Sequence, residues 1–191
     1  MAPAREITGF PGFVGGRWLE LLSDIAGLKR AAIMFNPDTA PASAYMPSLE
    51  TAARPLKVVP IIAPVHSDAE IEAAIDALGG EPGGGLVSLP DIFTVAHRAQ
   101  IISAAARNKV PAVYIASEFV RDGGLLSYGA EFEENIRRAA TYGDRILRGE
   151  KPGDLPVQFP VKYEMVVNLK TAKALGNHPE TLLATAHEVI Q

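Results

Sequence analysis

The sequence predicts an α/β fold in which helices cover both faces of a parallel sheet. Four short apolar runs, each of a length suited to one buried strand, lie between residues 29 and 116. Segments whose apolar residues recur at helical spacing separate the successive runs. Continuous apolar strands that alternate with helices are typical of a parallel sheet buried on both sides.

The first half of the chain supplies these elements in alternation. The first predicted helix has one apolar face, formed by Trp18, Leu19, Leu21, Leu22 and Ile25. The predicted strands are 29–35, 58–65, 85–89 and 111–116. The remaining predicted helices are 42–53, a helix capped by Ser67 that runs through Leu78, and a helix that follows 90–94 and runs through Arg107.

The second half of the chain follows a different order. Gly123 and Gly124 lead into an apolar strand, and a long amphipathic helix is predicted over 132–147, with Gly149 as its end. A proline-bounded crossing at 151–156 and a strand at 163–168 follow. We expect the alternating sheet to end before this crossing.

Composition excludes several classes of function. The chain has 191 residues, of which 48% are apolar and 21% charged, and its net charge is -4. Basic residues are scattered, so nucleic acid is not an expected partner. The absence of cysteine removes disulfides, thiolate nucleophiles and cysteine-ligated metal sites. Neither a leader sequence nor a membrane span is recognisable, so we expect the chain as written to remain in the cytoplasm.

Four segments carry a family resemblance through their order and spacing. They are KRAAIMFNPD at 29–38, GGLVSLPD at 84–91, GGLLSYG at 123–129 and ILRGEKP at 146–152. Together they resemble the substrate-binding proteins of ABC transporters of the tryptophan/phenylalanine-binding type. This resemblance implies the type I periplasmic-binding-protein fold, with Rossmann-like lobes that close on a small ligand such as an aromatic amino acid. It also implies an ABC permease as partner, a periplasmic location, no cofactor and no enzymatic activity.

The resemblance further implies how the chain is divided. Residues 1–13 correspond to a hinge strand and a remnant of the first lobe, and 14–122 to a complete second lobe. Residues 123–191 correspond to crossing segments and helices that pack with the first lobe. We therefore expect a homodimer, formed by strand or segment exchange, because apolar residues that pack with that lobe would be exposed. These residues are Leu125, Leu126, Val157, Phe159, Val166 and Val167.

Candidate ligand-binding residues follow the predicted strands, because ligands of open parallel sheets bind beyond the carboxyl ends of the strands. They are Asn36, Asp38, Thr39, Asp91, Ser117, Glu118, Ser127 and Tyr128. By resemblance Asp91 lies in the cleft, where its carboxylate would suit an ammonium group, or it caps the following helix. Asn36 and Asp38 are also typical turn residues. Tyr128 could stack on a ligand ring or fill the hinge.

Catalytic and metal-binding signals are weak. His66 and His97 have no carboxylate or histidine partner at ligand spacing, so both are interpreted as structural or solvated. Neither a glycine-rich phosphate loop after a strand nor a nucleophile elbow is found. The expected function is solute binding for an ABC transporter. A cytoplasmic dimeric protein with an interaction or sensing role is the alternative, and a Rossmann-like enzyme is a third possibility.

Overall fold

The structure is a computed structural model, which describes residues 15–40, 42–80, 82–177 and 179–191. The strands are β1 (Arg30–Phe35), β2 (Val59–Pro64), β3 (Gly84–Ser88), β4 (Ala112–Tyr114), β5 (Leu126–Ala130), β6 (Tyr163–Asn168) and β7 (Glu188–Ile190). The helices are α1 (Gly15–Ala26), α2 (Ala42–Leu56), α3 (Asp68–Gly79), α4 (Ile92–Ala96), α5 (Arg98–Arg107), α6 (Ser117–Arg121), α7 (Phe132–Leu147), α8 (Leu169–Leu175) and α9 (Glu180–Leu183), with a 3-10 turn at Pro152–Asp154. The hinge strand predicted within 1–13 lies outside the described residues.

The strands form one sheet with the order β2-β1-β3-β4-β5-β6-β7. The pairs β1–β2, β1–β3, β3–β4, β4–β5 and β6–β7 are parallel. The predicted α/β fold with a mostly parallel sheet is therefore confirmed. The long helix predicted over 132–147 and the strand over 163–168 also have the predicted bounds.

The described residues form two compact units. The larger unit contains 15–129 and 165–191, and the smaller unit contains 130–164. These boundaries differ from the predicted division, which separated 123–191 from the lobe before it. The reason is that β5, most of β6 and β7 continue the sheet that β1 to β4 begin. The alternating sheet therefore does not end before the crossing at 151–156.

The six apolar residues that were expected to be exposed differ in burial between the two units. Four of the six named residues, Leu125, Leu126, Val166 and Val167, are buried in the larger unit because they lie at or within β5 and β6. Val157 and Phe159 belong to the smaller unit and are 50% and 64% exposed. Among these six residues, the expected exposure therefore holds only for Val157 and Phe159.

The two faces of the sheet have separate cores in the larger unit. Odd-numbered side chains of β1, such as Ile33, pack in a cluster with Trp18 of α1 and Leu49 of α2. Even-numbered side chains, such as Met34, pack with Ile75 of α3 and with residues of α5. The interior strands β1 and β3 are therefore covered on both sides, as their continuous apolar sequences require.

The helix predicted to end at Arg107 is divided in two. His97 separates α4 from α5 and has φ −99° and ψ 16°, outside the α-helical region. Its ring stacks on Phe93 with centroids 4.0 Å apart, and its Nδ1 atom lies 2.8 Å from the Phe93 carbonyl oxygen. This contact with the preceding turn holds the side chain at the point where the helix changes direction.

Trp18 connects helix α1 to helix α2 and to strand β5. Its side chain is 1% exposed and stacks on Tyr45 of α2 with ring centroids 5.8 Å apart. The indole Nε1–H donates a 2.6 Å hydrogen bond to the carbonyl oxygen of Tyr128 in β5. A single side chain therefore joins α1, α2 and β5.

We expect Trp18→Ala to lower the free energy of unfolding by about 3–5 kcal/mol, because it removes the largest buried side chain of this core. Trp18→Phe keeps an aromatic ring but removes the donor to Tyr128, and it should cost about 1–3 kcal/mol. Urea denaturation followed by far-ultraviolet circular dichroism measures both. Equal stability of Trp18→Phe and the wild type would show that the hydrogen bond contributes nothing.

A substitution at Ser88 is expected to stabilise the fold, in contrast to the Trp18 variants. Its hydroxyl is buried and has no hydrogen-bond partner within the described part of the chain. Ser88→Ala should therefore raise the free energy of unfolding, by roughly 1 kcal/mol, because an unsatisfied buried hydroxyl is costly. Thr94→Val is the control, since the Thr94 hydroxyl bonds the carbonyl oxygen of Leu89 at 3.1 Å and its loss should destabilise. A destabilised Ser88→Ala variant would contradict this prediction.

Candidate ligand-binding site

The candidate site is the edge of the sheet where parallel strands end side by side. β1, β3, β4 and β5 are consecutive neighbours, so their carboxyl ends meet at one edge. Strands are spaced by about 4.8 Å, so this edge extends about 15 Å from β1 to β5. The sequence-predicted site residues lie along it, in the segments that follow β1, β3 and β4 and within β5.

Asp91 is the centre of a hydrogen-bond network at this edge. Its Oδ1 atom accepts a 2.7 Å bond from the backbone N–H of Thr94, which makes Asp91 the N-cap of α4. Its Oδ2 atom accepts from the backbone N–H of Asn36 at 3.2 Å, and the Thr39 hydroxyl lies 3.4 Å from Oδ1. The carboxylate therefore connects the segment after β1 to the helix after β3.

Asn36 forms the turn that brings these donors to Asp91. Its side-chain Oδ1 atom accepts a 2.8 Å bond from the backbone N–H of Asp38, and its carbonyl oxygen accepts from the N–H of Ala40 at 2.9 Å. Asn36 is 6% exposed, whereas Asp38 and Thr39 are exposed. The turn role of Asn36 is confirmed, and the turn directs Thr39 towards Asp91.

The Asp91 carboxylate retains capacity for a further donor. An ionised carboxylate offers about four acceptor positions, and three donors among the described residues use it. Asp91 is 8% exposed, so a donor that reached it would form a charge-assisted bond in a largely desolvated place. Both predicted roles of Asp91 are thus compatible, although only the capping role is observed.

Apolar side chains beside Asp91 were not predicted as site residues. Ile92 is 76% exposed and Val95, one turn further along α4, is 42% exposed. They lie at the same edge as Asp91 because α4 begins directly after it. The signal in the sequence was an apolar residue next to the predicted cap, within the segment 90–94 that leads into the predicted helix.

The remaining predicted residues differ in access. Ser117, half-buried, and Glu118, exposed, begin α6 after β4. Ser127 is 1% exposed within β5, so its side chain is not available to a ligand in this structure. Tyr128 is half-buried and packs against the core that contains Trp18. The residues brought together by contact are therefore Asn36, Thr39 and Asp91.

His66 and His97 do have carboxylate partners, which corrects the sequence interpretation. His66 Nδ1 lies 3.1 Å from Glu70 Oε2, and His97 Nε2 lies 3.6 Å from Asp68 Oδ1. The first pair belongs to the cap of α3, where the Ser67 hydroxyl accepts from the N–H of Glu70 at 3.3 Å. Among the described residues, no group of three or more His, Cys, Asp or Glu is arranged to hold a metal ion.

Sequence comparison identifies the family. The sequence profile described as "ABC transporter substrate binding protein" matches residues 17–190. The chain belongs to the ABC transporter substrate-binding protein family. The predicted resemblance is thereby confirmed, and the residues at the carboxyl edge of the sheet lie within the part of the chain that the profile matches.

Individual relatives have the same fold but longer chains. A tyrosine-binding protein from Clostridioides difficile is 23% identical over 91% of this chain and 50% of its own length. The crystal structure of a conserved domain protein from Vibrio cholerae is 26% identical, with a TM-score of 0.85 over 95% of this chain and 62% of its own. A Streptococcus pneumoniae ABC domain in complex with L-Trp is 21% identical, with a TM-score of 0.83 over 92% of this chain and 60% of its own. The chain therefore spans about half to three fifths of the length of these relatives.

No helix in the described parts of the chain has the length and apolar character needed to cross a membrane.

The α3 cap generates a testable pH dependence. The backbone N–H of His66, followed by its imidazole, binds the Glu70 carboxylate and lowers the pKa of Glu70 below its ordinary value of 4.5. A lowered folded-state pKa means that the carboxylate stabilises the fold above pH 4.5, and that this contribution is lost as the pH falls through the folded-state pKa. Glu70→Gln should therefore reduce the pH dependence of stability below pH 4.5.

Urea denaturation at a series of acidic pH values measures this effect. Ser67→Ala is the matched control, because it removes the uncharged half of the same cap and should cost about 1 kcal/mol at every pH. Identical pH profiles for Glu70→Gln and the wild type in the acid range would contradict the predicted role of Glu70.

Proposed function

We propose that this chain is the solute-binding component of an ABC transporter and that its ligand is an amino acid with an apolar or aromatic side chain. The observation that carries this proposal is the Asp91 carboxylate, which is largely buried, retains an acceptor position and lies next to the exposed Ile92. A carboxylate suits the ammonium group of an amino acid, and an apolar neighbour suits its side chain.

The other residues of the edge have supporting roles in this proposal. Thr39 offers a hydroxyl at Asp91, Asp38 adds an exposed carboxylate to the same turn, and Asn36 holds this turn. Ser117, Glu118 and Tyr128 extend the polar edge towards β5. Ser127, which is buried, would act by supporting the neighbouring Tyr128 and not by direct contact.

The relatives support the ligand class. A tyrosine-binding protein and a domain crystallised with L-Trp both align with more than nine tenths of this chain. Both names concern an aromatic amino acid, which combines an ammonium group with a large apolar side chain. The same two features are matched by Asp91 and Ile92 at the carboxyl edge of this sheet.

The transporter context completes the proposal. We propose that the larger unit is one lobe of the binding protein, that the partner is an ABC permease and that binding takes place in the periplasm. The chain performs no chemistry in this role. Ligand binding there requires recognition and release, for which a capped, hydrogen-bonded carboxylate is suited because it is held in place before the ligand arrives.

A thermal-shift screen against the amino acids tests the proposal, with L-phenylalanine, L-tryptophan and L-tyrosine as the first ligands. A ligand present at about 100 times its dissociation constant should stabilise the fold by roughly 2.7 kcal/mol. Calorimetry then gives the affinities of L-phenylalanine and of 3-phenylpropionate, which lacks only the ammonium group. We expect the amino acid to bind more tightly by about ten- to a hundredfold, the range of a hydrogen bond to a charged group.

Asp91→Asn distinguishes the proposed ammonium contact from the cap. Asparagine is as good an N-cap as aspartate, so α4 should persist, while the preference for L-phenylalanine over 3-phenylpropionate should disappear. Asp122→Asn is the control, because Asp122 pairs with Arg98 at 2.7 Å on α5 and has no contact with the Asp91 network. An unchanged preference in Asp91→Asn would refute the assigned contact, and no binding of any amino acid would refute the proposed ligand class.

Ile92→Asn tests the apolar half of the site. Since Ile92 is 76% exposed, we expect its replacement to leave the stability of the unliganded chain within about 0.5 kcal/mol. Affinity for L-phenylalanine should fall several-fold, while affinity for L-alanine, with its small side chain, should change little. Equal losses for both ligands would show that Ile92 does not contact the ligand side chain.

A further inference from the structure

Helix α7 of the smaller unit has an apolar face that stays exposed to solvent. Phe132 is 75% exposed, Ile136 53% and Leu147 89%, although all three are large apolar residues. Tyr142 of the same helix is buried instead: it is 5% exposed, and its hydroxyl donates a 2.6 Å hydrogen bond to the carbonyl oxygen of Pro156. Only one side of α7 is thus covered by the segment that follows it in the smaller unit.

The exposed face has the spacing of a helix–helix contact. The residues Phe132, Ile136, Ala139, Gly143 and Ile146 follow one another at intervals of four, three, four and three. This is the 3.5-residue repeat with which two helices pack side by side. We call these five residues, together with the adjacent Ala140 and Leu147, the α7 seam.

The sizes of the side chains make the α7 seam complementary to itself. Its middle contains only small residues, Ala139, Ala140 and Gly143, and a Cβ atom placed on Gly143 would meet no atom within 4 Å. Its two ends carry the large residues Phe132 and Leu147, at nearly equal distances from the middle. Two antiparallel copies would therefore cross closely at the middle, and the bulky end of each would pack on the bulky end of the other.

The charges beside the α7 seam favour the same orientation. Three glutamates, Glu131, Glu133 and Glu134, surround its beginning. Three basic residues, Arg145, Arg148 and Lys151, outnumber the two acidic residues near its end. Antiparallel packing brings the acidic end of one helix to the basic end of the other. Within one copy Arg145 already forms a two-point pair with Glu150, and Arg148 pairs with Asp144. At the acidic end Glu134 pairs with Arg137 and Glu131 with Lys162. Pairs between the two copies would therefore add to this exposed ion-pair network or exchange with it.

The exposed apolar surface of the smaller unit is a large part of what a stable contact needs. The segment that covers α7 at Tyr142 carries three further exposed apolar side chains, Val157, Phe159 and Val161, which are 50%, 64% and 66% exposed. This segment is tied to the helix by Arg138, whose Nη1 atom donates to the carbonyl oxygen of Phe159 at 2.9 Å. Together the exposed apolar side chains offer on the order of several hundred Å², against about 800 Å² per partner in a standard interface.

We infer that the α7 seam is a docking surface for a second copy of this chain, with the two α7 helices packed antiparallel about a two-fold axis near Ala139 and Ala140. The interface is helical, in place of the strand exchange expected from the sequence. The backbone N–H groups of Val59 and Val65 bond towards β1, so the alternate residues of β2 face outward. These outward positions include Pro60 and Pro64, which have no backbone N–H group, so addition of another strand at β2 is unfavourable.

Single-cysteine cross-linking tests this geometry, because the natural chain contains no cysteine. Ala140→Cys lies near the proposed axis and should give a disulfide-linked dimer under mild oxidation, since a disulfide needs Cα atoms about 4.4–6.8 Å apart. Thr141→Cys, on the opposite side of α7, is the matched control and should remain monomeric on a denaturing gel. A mixture of Phe132→Cys and Leu147→Cys should yield more cross-linked dimer than either variant alone.

Sedimentation equilibrium of the unmodified chain provides the independent measurement. We expect a dimer that dissociates on dilution, and Leu147→Glu should raise its dissociation constant by roughly tenfold or more with an unchanged circular dichroism spectrum. A monomer at all concentrations would overturn the inference, because a different polypeptide would then have to cover the α7 seam. Cross-linking of Phe132→Cys alone, in preference to the mixture, would overturn the antiparallel orientation.

Discussion

The neighbouring interior strands β1 and β3 impose the main constraint on this structure, because apolar side chains lie on both faces of each strand. Their side chains are almost all buried, so helices must cover the sheet on both sides, and two separate cores result. The covering helices leave the ends of the strands as the places where polar side chains can reach solvent. The position of the candidate site at the carboxyl edge follows from this requirement.

The Asp91 network illustrates how the same constraint positions the carboxylate that we propose binds the ligand. A carboxylate at the end of a buried strand must find donors, and it finds them in the N-terminus of α4 and in the turn after β1. These donors fix the position of the carboxylate without using all of its acceptor positions. Structural capping and ligand recognition therefore do not compete for Asp91, and the residue can serve the helix in the absence of a ligand.

Local patterns in the sequence were sufficient for most elements of the fold but not for the closure of the sheet. Strands 29–35 and 163–168 and helix 132–147 were predicted because each carries its own periodicity. The return of β6 beside β5 was missed because it depends on contacts between distant segments, such as the bond from the N–H of Asn168 to the carbonyl oxygen of Leu125. The burial of Ser127 follows from the same pairing. The position of Asp91 was predictable from strand order alone, whereas its three donors depend on the turn geometry after β1.

The environment of Trp18 has a spectroscopic consequence. It is the single tryptophan of the sequence, and it is buried in the larger unit against Tyr45 with its indole N–H bonded to Tyr128. Its fluorescence therefore reports on the larger unit. Unfolding of the larger unit would shift the emission to longer wavelength as water reaches the indole. The chain thus carries a natural probe for the melting of this unit.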